Sequence, residues 1–154
     1  MNRTLTILSL LATFAFAACT GPQVQVQTPD GFAELEKQKR YEYRAANAQG
    51  VVLAVRREAN EPRGDLAFWS GAVDAQLRRA GYTALSANEV ETATGVTGRQ
   101  IRYKIVRHNR EHAFWVSVFV LENAVITVEV GGDHAFFDQL EKPIEAAIQS
   151  LRLS

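Results

Sequence analysis

Apolar positions along this chain change their spacing several times, and each change marks an element. Thr4 to Ala18 is an uncharged, Leu- and Ala-rich run behind Arg3. Past Asp30 the run gives way to alternation. Phe32 and Leu35 flank a short extended segment, and Tyr41, Tyr43 and Ala45 interleave with Glu42, Arg44 and Ala46. That period of two predicts a strand. Asn47-Ala48-Gln49-Gly50 supplies a turn, and Val51 to Glu58 predicts its hairpin partner. Asn60-Glu61-Pro62-Arg63-Gly64 breaks the pattern. Leu66, Trp69, Val73 and Leu77 then recur at helical spacing. Asp65 is placed to cap the first turn and Gly81 to end the last, which predicts a helix over 65–80.

The second half returns to alternation. Tyr82 to Glu91 predicts a strand, and Gly95-Val96-Thr97-Gly98 turns the chain. Ile101, Tyr103 and Ile105 alternate with Arg102 and Lys104. Ala113 to Leu121 is apolar on both faces, with Ser117 the one polar residue, as in a strand covered on both sides. Ala124 to Val130 predicts one more strand, with Gly131-Gly132 ending the sheet. Leu140, Ile144, Ala147, Ile148 and Leu151 form a helical stripe, with Pro143 placed to open that helix at a kink. The order βββ-α-ββββ-α predicts an α+β domain: an antiparallel sheet of about six strands with two packed helices.

Composition narrows the function classes. The chain has 154 residues, with 17 Lys+Arg against 17 Asp+Glu. Such a balance excludes the basic excess of a nucleic-acid binder. The single cysteine excludes a disulfide framework and a Cys-based zinc site. Charge is nevertheless segregated. Arg99, Arg102, Lys104, Arg107 and Arg110 share a stretch without acids, and residues 122–145 are acidic apart from Lys142. The segregation either pairs across neighbouring strands or orients the domain on a partner or on anionic lipid.

The lone cysteine is Cys19, directly after the apolar run. The run is too short for the roughly 20 residues of a membrane-spanning helix and fits a signal-peptide core. Phe16-Ala17-Ala18-Cys19 resembles the lipobox of bacterial lipoproteins, with Phe where Leu is commoner. The resemblance implies cleavage before Cys19 and its acylation, which anchors the protein to the lipid bilayer. The competing reading is an ordinary secretory signal cleaved after Ala18. Thr20, in place of Asp, resembles lipoproteins carried to the outer membrane in Gram-negative cells, facing the periplasm. The expected layout is a signal peptide over 1–18, a tether over 19–29 and one domain over 30–154.

Candidate chemistry is sparse. His108-Asn109-Arg110-Glu111-His112 matches an inverted zincin motif, but that chemistry needs a helix and the flanks predict strands. With Asn109-Arg110-Glu111 as a loop, His108 and His112 would face each other across a hairpin as a weak metal pair, with His134 as a distant third ligand. Ser70, Ser86, Ser117 and Ser150 lack a nucleophile-elbow setting, and the Gly95–Gly98 turn has no phosphate-binding Lys. Glu89 and Glu91 share a face of one strand and read as a solvated edge. Phe68, Trp69, Phe114, Trp115 and Phe119 read as core. Phe136 and Phe137 are adjacent, so one helix face cannot bury both. No catalytic residue and no cofactor is expected.

Several segments together look like the PsbP-like fold of the photosystem II extrinsic proteins. They are Pro29-Asp30-Gly31-Phe32, the Tyr-rich first strand, Gly50-Val51-Val52-Leu53, the Phe68-Trp69 helix and Gly81-Tyr82. The Gly-x-x-Gly hairpin, the aromatic central strand and the closing Ala147-Ile148-Gln149-Ser150-Leu151 complete the resemblance. DcrB-like envelope lipoproteins and a Ran-binding nucleotide-release factor are similar. The resemblance implies a non-enzymatic, protein-binding or assembly module of the cell envelope. Its expected interface is Arg102, Lys104, Arg107 and Arg110 with Phe136 or Phe137, toward an envelope protein rather than nucleic acid. The alternative is a small-ligand or metal-binding lipoprotein that uses His108 and His112.

Overall fold

The structure is a computed structural model that describes residues 24–153. The signal segment, Cys19 and the residues up to Gln23 lie outside the described residues. The elements are β1 (Val24–Gln25), β2 (Phe32–Glu34), β3 (Tyr43–Asn47), β4 (Val52–Ala59), α1 (Leu66–Arg79) and β5 (Thr83–Glu91). They continue with β6 (Thr97–Arg107), β7 (Arg110–Val120), β8 (Ala124–Asp133), α2 (His134–Phe137), a 3-10 turn (Asp138–Leu140), α3 (Glu141–Gln149) and β9 (Arg152–Leu153). No helix among them is long and apolar enough to cross a membrane.

The architecture is α+β. Seven antiparallel strands form one sheet in the order β2-β3-β4-β8-β7-β6-β5. Seven strands are what the order βββ-α-ββββ-α contains, with the short extended segment at Phe32 forming the three-residue β2. Side chains alternate across the pleat, so β7 divides its apolar residues between two cores. Trp115 and Phe119 join Leu53, Val55, Ile126 and Val128 under α2 and α3. Val116 and Val118 join Ile101, Tyr103 and Val125 under α1.

Local chemistry explains the boundaries of α1. The Asp65 carboxylate accepts from the Phe68 amide at 2.8 Å, satisfying one of the first-turn donors. At the other end Gly81 adopts φ +91°. Its amide donates to Arg78 O, and the Tyr82 amide to Leu77 O at 3.1 Å. This is the paired termination that a left-handed glycine permits. In α3, Pro143 lies in the first turn, where a missing N–H costs no helical bond.

Two expectations are corrected. Gly131 and Gly132 do not end the sheet; β8 runs through them to Asp133. They are glycines for space, since a Cβ on Gly132 would lie 2.7 Å from Val51 Cγ2 and one on Gly131 3.0 Å from the Phe114 ring. Residues 24–29, expected as the end of a tether, are built into the domain instead. Val24 and Gln25 pair with Leu153 and Arg152. Val24 and Val26 pack on the core under α3, and Pro29 is buried. The Gln27 amide donates to Ser150 Oγ at 3.0 Å, and Tyr43 OH to Thr28 Oγ1 at 2.8 Å. Val-Gln-Val-Gln is uncharged like a linker, yet its period of two presents both valines to one face.

The β4–α1 connection is held by Asn60, which is 7% exposed. Its Nδ2 donates to Gly64 O and Leu121 O, and its Oδ1 accepts from Gly64 N and from Trp69 Nε1 at 2.7 Å. One side chain thus joins the loop, the β7–β8 turn and the start of α1. On the same side of the sheet, buried Tyr103 donates its hydroxyl to Asp74 at 2.9 Å, and Asp74 also pairs with Arg78. Burial, and then the bond to Asp74, push the Tyr103 phenol above its ordinary value.

Two predictions follow from these contacts. Asn60→Ala leaves several partners unsatisfied and should cost about 2–3 kcal/mol in urea unfolding, with a shift in Trp69 emission. For Tyr103 the folded chain holds a proton that the unfolded chain releases near pH 10. Stability from this source is complete below about pH 10 and falls as pH rises from there toward the raised folded value. Tyr103→Phe should therefore lose less stability than the wild type between pH 7 and pH 11. Equal losses in the two proteins would refute the linkage. Some decline should persist in Tyr103→Phe, because burial also raises Tyr43.

Candidate functional site

The β6–β7 hairpin turns on two residues, His108 (φ 50°) and Asn109 (φ 60°), both left-handed. Two left-handed residues match the twist of flanking strands and make the tightest hairpin. Arg107 and Arg110 close it as a directly opposed pair. The three-residue loop Asn109-Arg110-Glu111 is thereby corrected, and the register changes with it. His112 lies opposite Ile105 on one side and Asp133 on the other, while His108 sits in the turn. The two imidazoles do not face each other. Among the described residues, no group of three or more His, Cys, Asp or Glu side chains could hold a metal. Asp133 caps α2 through the Ala135 amide, and His134 lies 3.7 Å from Glu111.

The expected basic patch divides. Arg102 points under α3, where its guanidinium stacks 3.8 Å from the Trp115 ring centroid. It pairs there with Glu141 and Glu145, each at 2.5 Å. Lys104 pairs with Glu111 at 3.1 Å on the neighbouring strand. For Arg102 the segregated charges of the sequence meet across the fold and fasten α3 to the sheet, whereas Lys104 is paired within its own hairpin. Arg107 and Arg110 are exposed at the tip, and neither has an ion pair among the described residues. Arg107 lies 5.9 Å from the Tyr82 ring centroid. Val106 beside them is 64% exposed.

The adjacent phenylalanines separate as their spacing requires. Phe137 is buried edge-on to Trp115 at 5.1 Å, while Phe136 is 43% exposed. Because α2 begins where β8 passes His112, Phe136 belongs to the same end of the sheet as the Arg107–Arg110 tip. Among the aromatics expected in the core, Phe68 is a correction. It is 51% exposed on the outer side of α1, edge-on to Trp69 at 5.3 Å. Its spacing places it one position off the Leu66–Trp69–Val73–Leu77 stripe.

A second surface lies between α1 and the open half of the sheet. Ile144, Ala147 and Ile148 of α3 are buried, but the α1 stripe is only half covered. A cavity of about 350 Å³ remains there, walled by Trp69, Val73, Leu77 and Phe114, with the ion pair of Arg56 and Glu129 at its floor. Arg56 Nε is buried without a hydrogen-bond partner. Three of the four candidate serines serve structure: Ser70 Oγ donates to Leu66 O, Ser150 Oγ to Ala147 O, and buried Ser117 accepts from Gln100. Gly95 is left-handed in its turn, and a Cβ on Gly98 would lie 2.6 Å from Val118 O, so the Gly-x-x-Gly serves a hairpin. Glu89 and Glu91 are exposed on edge strand β5, as expected.

No family model matches the chain, and no curated protein matches it in sequence. Solved structures do match its fold. LpqN of Mycobacterium tuberculosis, involved in cell envelope biogenesis, superposes with a TM-score of 0.73 at 10% identity, over 90% of this chain and 87% of its own. Cyanobacterial PsbP from Synechocystis gives 0.56 at 11% identity, over 94% of this chain and 99% of its own. PA94 of Pseudomonas aeruginosa, of unknown function, gives 0.55 at 13%, over 88% and 86%. The seven-stranded sheet with a helix on each face, matched to PsbP along nearly its whole length, is the PsbP-like fold.

Proposed function

We propose that the protein is a non-enzymatic binding module of the cell envelope, held to a membrane through acylated Cys19. In a Gram-negative cell it would sit on the outer membrane facing the periplasm. The lipobox-like Phe16-Ala17-Ala18-Cys19 supports the anchor. The fold shared with LpqN, a protein of envelope biogenesis, supports the setting. The observation that carries the binding surface is the Arg107–Arg110 pair. Like charges directly opposed across two strands repel. No acid of the described chain pairs with them, so an acidic segment of an envelope protein would relieve the repulsion. Phe136 at the same end offers an apolar anchor beside the charge. A second reading, a small amphipathic ligand, is favoured by the cavity under α1 with its unsatisfied Arg56 Nε.

Cys19→Ser should move the protein from the membrane fraction to the soluble fraction, and the mature wild type should carry added acyl mass. A wild-type mature chain without that mass would end the lipoprotein reading. For the surface, a benzophenone side chain at Val106 in intact cells should give a discrete crosslinked adduct. Arg107→Glu with Arg110→Glu should remove the adduct and added salt should weaken it, while Glu122→Lys should leave it. If the double reversal changes nothing and Gln76→Arg at the mouth of the cavity removes the adduct, the groove is the binding surface instead.

A further inference from the structure

The described chain begins at Val24, and Val24 is already built into the domain. It pairs with Leu153, whose amide donates to Thr94 Oγ1 in the β5–β6 turn. The Ala93 amide in the same turn donates to Leu151 O. The N-terminal segment therefore joins the domain at the end of the sheet that carries the β5–β6 turn and, beside it, the β7–β8 turn with Glu122. The Arg107–Arg110 tip is at the other end of β6 and β7. Each of those strands has 11 residues, which at ~3.4 Å per residue separates the two ends by about 35 Å.

Thr20, Gly21, Pro22 and Gln23 are all that stand between Cys19 and this docked segment. Fully extended at ~3.4 Å per residue, the reach from Cys19 to Val24 is about 17 Å. Resting on the lipid-anchor reading above, we infer that the domain stands end-on and close to the bilayer. The β5–β6 and β7–β8 turns face the headgroups, and the basic tip with Phe136 points away from the membrane. Turning the domain over, with the tip toward the headgroups and the docked segment uppermost, would require the tether to span the length of the sheet, about twice its reach. At the tip the surface charge of the membrane is several Debye lengths away, the Debye length being about 8 Å at physiological salt. The arginines are thus offered to a partner in the aqueous compartment rather than to anionic lipid in the same membrane. The device depends on the docking of Val24–Pro29, since a free tether to Pro29 would let the domain tumble.

The test uses the full-length acylated protein in phosphatidylethanolamine/phosphatidylglycerol vesicles that contain a headgroup-spin-labelled lipid. A fluorophore is attached at Glu122→Cys or at Val106→Cys; both native positions are exposed, and acylated Cys19 does not react. Quenching should be several-fold stronger at position 122 than at 106. Inserting a Gly/Ser stretch of about twelve residues after Thr20, which adds a span of about 20 Å, should shrink that difference. Equal quenching at the two positions, or stronger quenching at 106, in protein that carries acyl mass and floats with the vesicles overturns the orientation and leaves the anchor standing. Protein that carries no acyl mass and stays off the vesicles overturns both.

Discussion

From Ala113 to Phe119, β7 buries both of its faces, with Phe114 alone partly open. A strand apolar on both faces cannot sit at the surface of a one-sided sheet, because each exposed face would leave several large side chains in water. Each buried Val or Phe is worth about 1.5–3 kcal/mol. The chain therefore needs cover on both sides of the sheet, and it has two helical segments to supply it. α1 follows β4 and lies over Val116 and Val118, while α2 and α3 follow β8 and lie over Trp115 and Phe119. The interior place of β7, between β8 and β6, follows from the same demand.

The two covers are unequal, and the inequality makes the surfaces. α3 is seated by its buried Ile144, Ala147 and Ile148 and fastened by Arg102, which stacks on Trp115 and reaches Glu141 and Glu145. Such part-exposed ion pairs contribute on the order of 1 kcal/mol or less each, so the apolar stripe dominates and the arginine sets the position. α1 rests over β6 and β7 and leaves the face of β4 and β8 beside it open, with Arg56 and Glu129 neutralising each other at the bottom of the cleft. The half-covered stripe of α1 is the consequence.

At the tip, register decides chemistry. With Arg107 rather than His108 closing the turn, every residue of β6 faces a β7 residue three positions earlier than the three-residue loop would give, and because side chains alternate with a period of two an odd shift also exchanges the faces. That shift takes His112 away from His108, sends Glu111 to Lys104, and leaves Arg107 opposite Arg110. The same hairpin would have read as a metal pair in one register and reads as a bare basic tip in the other.

By itself the sequence determined the elements whose causes are local. Asp65 and Gly81 bound α1 because a cap and a left-handed glycine act within a turn of their own position. Alternation located β4 to β8 because the pleat has a fixed period, and the two-sided pattern of β7 announced an interior strand. Other outcomes were settled only by the tertiary structure, because they depend on residues far apart in the chain. Gly131 and Gly132 look like a terminator until Phe114 and Val51 are seen to occupy the space of their missing side chains. Val24 and Val26 look like a linker until the strand beyond α3 pairs with Val24 and Gln25 and both valines meet the core. Phe136 and Phe137 are equivalent in composition, and Trp115 chooses between them. Arg102 and Arg107 belong to one basic run, and two glutamates of α3, some forty positions away, claim the first and leave the second exposed. Local rules bound α1 and set which positions of a strand share a face; what a side chain meets there is decided by elements the local rules do not see.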